Sequence, residues 1–337
     1  MNGQESCPMH RDHNSTKSIL TDGIIHSKQY GNQRRNVDTA TYTIPIVFHI
    51  AHNTRDSLPG MNSNITDSTI HAAIKSLNEI FSNKGSAFNT DGVDIKIQFK
   101  LATVNGKCGG PTTGILRYPG NSFLSFYKSN NVMRVNNWNS NNYLNIFTGT
   151  GIEYFFPVNG LSSFPENHGN EKDAILMVYT LINDLASQKI LAHEVGHYLG
   201  LYHTFSYGCK NDDCSIDGDM VCDTPPDTTN TPYTNCDSVL NSCNSDTDDT
   251  SSQNPFRAIN LGGLGDQNDL QNNLMDYLHN DCYAVFTQGQ KKRMRSTLTS
   301  IRSSLLSSSG LGTPCDLNIC TDFNNSIYKH GGNVIYM

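Results

Sequence analysis

The chain has 337 residues, 36% of them hydrophobic and 16% charged, and carries a formal net charge of −7. That composition suits a globular protein with a sizeable core in one domain or two lobes. The acidic balance, with no basic cluster beyond Lys291 to Arg295, argues against nucleic acid as a partner. The longest apolar run, Ala174 to Ile182, is half the length needed to span a membrane and reads as a buried strand.

Residues 1–34 are polar and without periodicity, and they end on the pair Arg34-Arg35 before the first strand-like stretch. They read as a removable pro-segment. Alternation then places Tyr42, Ile44, Ile46, Phe48 and Ile50 on one face, a strand in which Pro45 favours an edge or early position. His49 and His52 read as solvated strand or turn residues rather than ligands. Asn64 opens an Asn-Ile-Thr acceptor tripeptide, which leaves glycosylation open. Thr66 or Asp67 can cap a helix whose Ile70, Ala73, Ile74, Leu77 and Phe81 fall at helical spacing. Val93, Ile95, Ile97, Phe99 and Leu101 alternate with polar residues, a half-buried strand, and Leu144 to Thr148 reads as another.

Next comes His193 to His203, HEVGHYLGLYH, within a helix expected from about Ser187 to Gly200. His193 and His197, four residues apart, share a helix face and can converge on one ion with Glu194 beside it. Gly200 can take a positive φ, end the helix and bring His203 to the same metal. Five such residues at fixed offsets arise by chance with an expectation on the order of 10⁻⁴. Three histidines leave one zinc position open, the arrangement of a catalytic rather than a closed structural site. Leu191, Val195 and Leu199 form the packing stripe of the same helix.

From Ser206 to Asn273 the chain is rich in Asp, Asn, Ser, Gly and Cys and has little periodicity. So long an irregular stretch needs ties. Disulfides or calcium would serve, with Asp217, Asp219, Asp223 and Asp227 as oxygen ligands, unless the stretch is simply a solvated acidic loop. A last helix is expected from Thr287 to about Leu305. Ten cysteines, eight of them between Cys209 and Cys320 with no CxxC pair, suit disulfides in a secreted, extracellular protein. No signal peptide is visible at Met1 to His10.

The zinc motif, GDMVCDTPPD at Gly218 to Asp227, LMDY at Leu274 to Tyr277, and DCYAVFTQGQKKRM at Asp281 to Met294 together resemble the pappalysin family of metzincin zinc metalloendopeptidases, in particular its small single-domain microbial members. The likeness covers roughly residues 40–300. It implies an α/β (α+β) fold with a catalytic domain at 35–306 and a C-terminal tail, 307–337, of no assigned role. The upper lobe, about 35–200, would hold a twisted, mostly parallel sheet and two helices including the zinc-binding one. The lower lobe, about 201–306, would be irregular, disulfide-stapled and closed by a C-terminal helix. A peptide would lie extended along an upper-lobe edge strand near Gly160 to Pro165.

The resemblance also implies roles. His193, His197 and His203 ligate one catalytic Zn2+, Glu194 is the general base, and Met275 forms the apolar methionine turn. Tyr277 is either the family tyrosine that hydrogen-bonds the tetrahedral intermediate or a core residue. Asp281 is either the base of a pocket favouring arginine or lysine after the scissile bond or a surface carboxylate. Asp219 and the backbone of Thr224 are candidates for a structural Ca2+. Two bridges are implied, Cys236 with Cys282, and Cys243 with Cys209 or Cys214. Arg34-Arg35 becomes a site of activation cleavage. Cys7 is either a thiolate holding the zinc site latent or the disulfide partner of Cys108. Partners are then protein or peptide substrates. The rival from another class is a secreted, zinc-stabilised binding module without turnover.

Overall fold

A computed structural model of the protein describes residues 39–105, 109–128, 132–154, 157–183, 188–228, 239–244, 250–277 and 284–314. Its centre is β1, Tyr42–His52, buried from Ile44 onward. On one side β1 pairs in parallel with β2 (Ile97–Leu101) over its first half and with β3 (Ile115–Pro119) over its second. On the other side lies β5 (Leu144–Gly149), followed by β8 (Ile175–Val178), both parallel, and finally β7 (Gly160–Ser162), antiparallel and at the edge. A small ribbon of β4 (Phe123–Leu124) and β6 (Gly151–Ile152) covers one face. The mostly parallel sheet is the one expected, and its central strands read as near-continuous apolar runs because both faces are covered.

Pro45 sits in the central strand and not at an edge. Tyr42 donates to Lys96 and Ile46 accepts from Ala102, so even-numbered residues of β1 bond toward β2. The nitrogen of Pro45 therefore turns the other way, just before β5 begins pairing at Ile46, and no ladder bond is lost. His49 and His52 are buried, contrary to the solvated reading. His49 hydrogen-bonds Tyr118 and Asn145 and stacks on Phe147, the partners a buried ring requires. Asn64 is buried too, its amide bonded to Asp56 and Arg117, which closes it to glycosylation in the folded chain.

Helix α1, Asp67–Ser82, is capped by Thr66, whose Oγ1 accepts from Thr69 N at 3.1 Å. Its buried face, Ile70, Ala73, Ile74, Leu77, Ile80 and Phe81, packs into the main core. The strand expected from Val93 is shorter, because Lys96 takes φ 64 and starts β2 at Ile97. The Ala174 to Ile182 run also divides, into β8 and the short helix α3, Tyr179–Asn183. A five-residue helix α2, Val132–Asn136, precedes β5. Helix α4 spans Gln188–Tyr198 and helix α5 Gln288–Ser300. The last helix is shorter than expected, giving way to a 3-10 turn at Ser303–Ser307. Beyond it, Gly310 O accepts from Thr103 N and Val104 N, tying the chain after residue 307 to the sheet. Among the described residues no helix is long and apolar enough to cross a membrane.

Candidate active site

Helix α4 is anchored by Leu191, Val195 and Leu199, all fully buried, each contributing roughly 2 kcal/mol of apolar burial. The opposite face carries His193 and His197. The helix ends where Gly200 takes φ 90, with Gly200 N bonded to His197 O and Leu201 N to Gly196 O, the positive-φ stop expected from glycine. That turn delivers His203. The three Nε2 atoms stand 3.0, 3.1 and 3.1 Å apart.

These contacts are not hydrogen bonds among the rings. His193 Nδ1 lies 2.6 Å from Leu274 O and His197 Nδ1 2.8 Å from Leu201 O. A carbonyl only accepts, so both Nδ1 atoms carry the hydrogen and both Nε2 atoms present lone pairs. Two facing lone pairs repel unless a cation lies between them. Nitrogen ligands about 2.0–2.1 Å from a zinc at tetrahedral angles stand roughly 3.3 Å apart, close to what is observed. Burial holds His193 down to about 4, and burial together with neighbouring rings holds His197 and His203 well below the ordinary histidine value. All three rings are neutral near pH 7, as metal ligands must be. Among the described residues this is the only convergent group of three or more His, Cys, Asp or Glu.

Glu194 is fully buried beside the triad. A side-chain carbon at Gly160 would overlap its carboxylate, so the backbone of edge strand β7 runs against Glu194. That places the expected peptide-pairing edge next to the expected general base. Met275 is buried against α4, where a side chain at Gly196, inside the zinc motif, would strike its sulfur. Tyr277 has its ring 5.1 Å from that of His203 and 6.5 Å from that of His193, at the rim of the triad.

The expected carboxylate cluster does not gather. Asp217 accepts from Lys210 Nζ and Asp213 N; Asp223 takes Thr287 Oγ1 and Gly289 N at the start of α5; Asp227 takes Thr204 and Ser242 hydroxyls. Asp219 is buried, with Thr224 Oγ1 donating to both its oxygens and Val221 N to one. Cys209 bonds Cys243, one of the two expected pairings. The other, Cys214 with Cys243, is overturned, since Cys214 bonds Cys222 across a tight turn in which Asp217 N reaches Asp213 O. Cys7, Arg34, Arg35, Cys108, Cys236, Asp281 and Cys282 lie outside the described residues.

One support of the site, Asn273, lies outside every motif. Asn273 and Gln290 exchange amide bonds at 3.0 and 2.8 Å, and Asn273 Oδ1 receives Met275 N, so α5 fixes the methionine. A signal was present: Thr287 and Gln290 have capping-box spacing, and the box forms. Nothing in the sequence marked Asn273 as the partner.

Comparison with known proteins points to the same class of enzyme. The family described as Pregnancy-associated plasma protein-A matches residues 127–299. An extracellular metalloprotease of Pyricularia oryzae is 26% identical over 77% of this chain and 76% of its own length. One from Arthroderma benhamiae is 27% identical over 79% and 80%. Among solved structures, a promirolysin variant of Tannerella forsythia superposes with TM-score 0.63 at 25% identity, covering 92% of this chain and 100% of that one. Mature mirolysin in complex with a cleaved peptide gives 0.57 at 26% identity, covering 80% and 96%.

Proposed function

Since the chain belongs to the pappalysin family of metzincin peptidases and is a zinc-dependent metalloendopeptidase, we propose that it cuts proteins or peptides on the amino side of arginine or lysine. The observation that carries the chemistry is the meeting of three neutral imidazoles with a buried glutamate at the sheet edge. His193, His197 and His203 would hold a zinc ion, which would supply Lewis acidity toward water and the scissile carbonyl. Glu194 takes the proton released by the attacking water and returns it to the leaving amine nitrogen. The carbonyls of Leu274 and Leu201 hold two of the rings in the tautomer that ligates. Tyr277 donates its hydroxyl hydrogen toward the developing oxyanion. The edge of β7 pairs with the substrate backbone, which sets its register against Glu194.

Selectivity rests on Asp281, whose carboxylate would pair with a cationic side chain and be left unpaired by a neutral one. A preference for basic residues after the cut makes the Arg34–Arg35 bond an activation site for residues 1–34, with Cys7 as the thiolate of the latent form. Calcium belongs at Asp219 with the Thr224 backbone, where a divalent cation would hold a deeply buried carboxylate ionised. The extracellular relatives and the disulfides support secretion. The rival binding module has nothing in its favour, since a site without turnover has no use for Glu194.

The test is incubation with a denatured protein mixture and sequencing of the new ends. Arg or Lys after the cuts is expected, with no cutting after Glu194→Ala or zinc chelation. Unselective ends would remove the specificity, and cutting that survives Glu194→Ala would remove the mechanism.

A further inference from the structure

Arg302 lies outside every motif that defines the site, yet it is fully buried, its guanidinium 3.4 Å from the ring centroid of Tyr198. Its Nε donates to Tyr198 O at 2.7 Å. Tyr198 follows His197 and is the last residue of α4. Arg302 Nη2 lies 3.3 Å from Phe164 O, and Arg302 Nη1 2.9 Å from each oxygen of Asp173. Asp173, also fully buried, accepts in turn from Ser163 Oγ and Gly169 N. Ser163 and Phe164 are the residues that leave edge strand β7, and the ring of Phe164 stands 5.3 Å from that of His197.

One rigid fork thus joins the end of the zinc-binding helix to the exit of the substrate-pairing strand. We infer that Arg302 is a positioning residue for hydrolysis, fixing the distance between β7 and the His197 end of α4 through Tyr198 O, Phe164 O and Asp173. This rests on the peptidase reading above.

Stability alone accounts poorly for such an arrangement. A buried ion pair repays its desolvation only in part, and an apolar pair of similar volume usually holds a fold as well. Burial by itself would raise Asp173, but Arg302, His168 and Ser163 outweigh it and hold the carboxyl below its ordinary range. What no apolar pair can do is grip two carbonyls on different elements at fixed spacing. Catalysis needs that, because the peptide is held by β7 while Glu194 sits on α4, and an offset of about 1 Å between bound substrate and catalytic group can cost about 100-fold in rate.

The test combines Arg302→Met with Asp173→Asn. This removes both charges together, while the asparagine amide oxygen can still accept from Gly169 N and its NH2 can donate to the Ser163 hydroxyl. The expected result is a folded, zinc-loaded protein whose melting temperature lies within a few degrees of wild type and whose KM on a peptide changes less than about threefold. Its kcat falls about 10- to 100-fold. Arg302→Lys keeps the charge but loses the fork, and kcat is expected to fall about tenfold. A folded double variant with wild-type kcat overturns the inference, as does loss of activity in step with loss of zinc, which would make the cluster a metal support. If the double variant does not fold, wild-type kcat in Arg302→Lys overturns it. Wild type in the same assay separates the two readings, because a wild-type protein that cuts nothing sinks the peptidase assignment and this inference with it.

Discussion

Among the described residues, those between 39 and 200 take their shape from backbone pairing and apolar burial, whereas those between 201 and 277 take theirs from side chains reaching into loops. In the first region five strands flank or extend β1, and it supplies most of the main core, which takes only Leu201, Leu274 and Met275 from the second. In the second, the described residues hold one short 3-10 turn, Ile259–Leu261. Their order comes from two disulfides, from Ser242 bridging Asp227 and Asp269, and from Arg257 donating to the carbonyls of Ser252, Asn254, Leu261 and Gly262. The two kinds of order fail differently. Chemistry housed in α4 should survive damage to the loops better than the position of His203 and Tyr277 does.

The largest expected effect lies in the first region. Glu194→Ala should lower kcat about 10²- to 10⁴-fold without unfolding the chain, read by peptide hydrolysis beside circular dichroism. A variant that loses its fold would show that the glutamate holds the edge of the sheet rather than the proton. Next in size is the second region. Replacing Cys209 and Cys243 by serine opens a link between residues 34 apart, expected to cost about 4 kcal/mol. The same change at Cys214 and Cys222, 8 apart, should cost about 2.5 kcal/mol. Denaturant melts give the totals. Hydrogen exchange should show faster opening confined to residues 201–277, and equal opening across the sheet would erase the contrast between the regions.

A pH dependence probes the loops alone. Burial pushes Asp219 up to about 8, against donors at Thr224 and Val221 that act the other way. A carboxyl raised on folding is stabilising while protonated, so its contribution is full below about pH 4 and is lost as the pH rises through 8. In calcium-free buffer the melting temperature of wild type should therefore fall between those values relative to Asp219→Asn, by several degrees. Added calcium should remove the fall. Parallel curves for the two proteins would show that this carboxyl does not feel its burial.

The same division governs what could be read from the residues alone. The sheet, α1 and the zinc-binding helix were legible because apolar periodicity is a local signal of burial, and His193, Glu194, His197 and Gly200 declare themselves by spacing within one helix and its stop. His49 was misread because a ring inside a central strand depends on Asn145 and Tyr118, distant in sequence. Lys96 escaped because a left-handed residue held by Asp94 looks like any strand position. In the loops, Asp217, Asp219, Asp223 and Asp227 are candidate oxygen ligands by spacing, yet each turns to a different donor. Spacing along a chain without periodicity does not give direction in space.

Gly200 stands on the border between the two regions and gives the smallest of these effects. Its φ of 90 is open to glycine, and a side-chain carbon there would lie 2.7 Å from Thr297 Oγ1 on α5. Its carbonyl accepts from Arg293 Nε at 2.7 Å, so the turn is held by α5 as well as by α4. Gly200→Ala should cost about 1–2 kcal/mol for the left-handed backbone, read as a lower midpoint in denaturant with an unchanged slope. The helix itself should persist, since Leu191 and Val195 anchor it. What shifts is His203, three residues beyond the turn, so affinity for zinc should fall more than stability does. Equilibrium zinc titration checks this: a weakened site on an intact helix would mean that the metal is shared between the two kinds of order, and unchanged affinity would mean that α4 alone sets it.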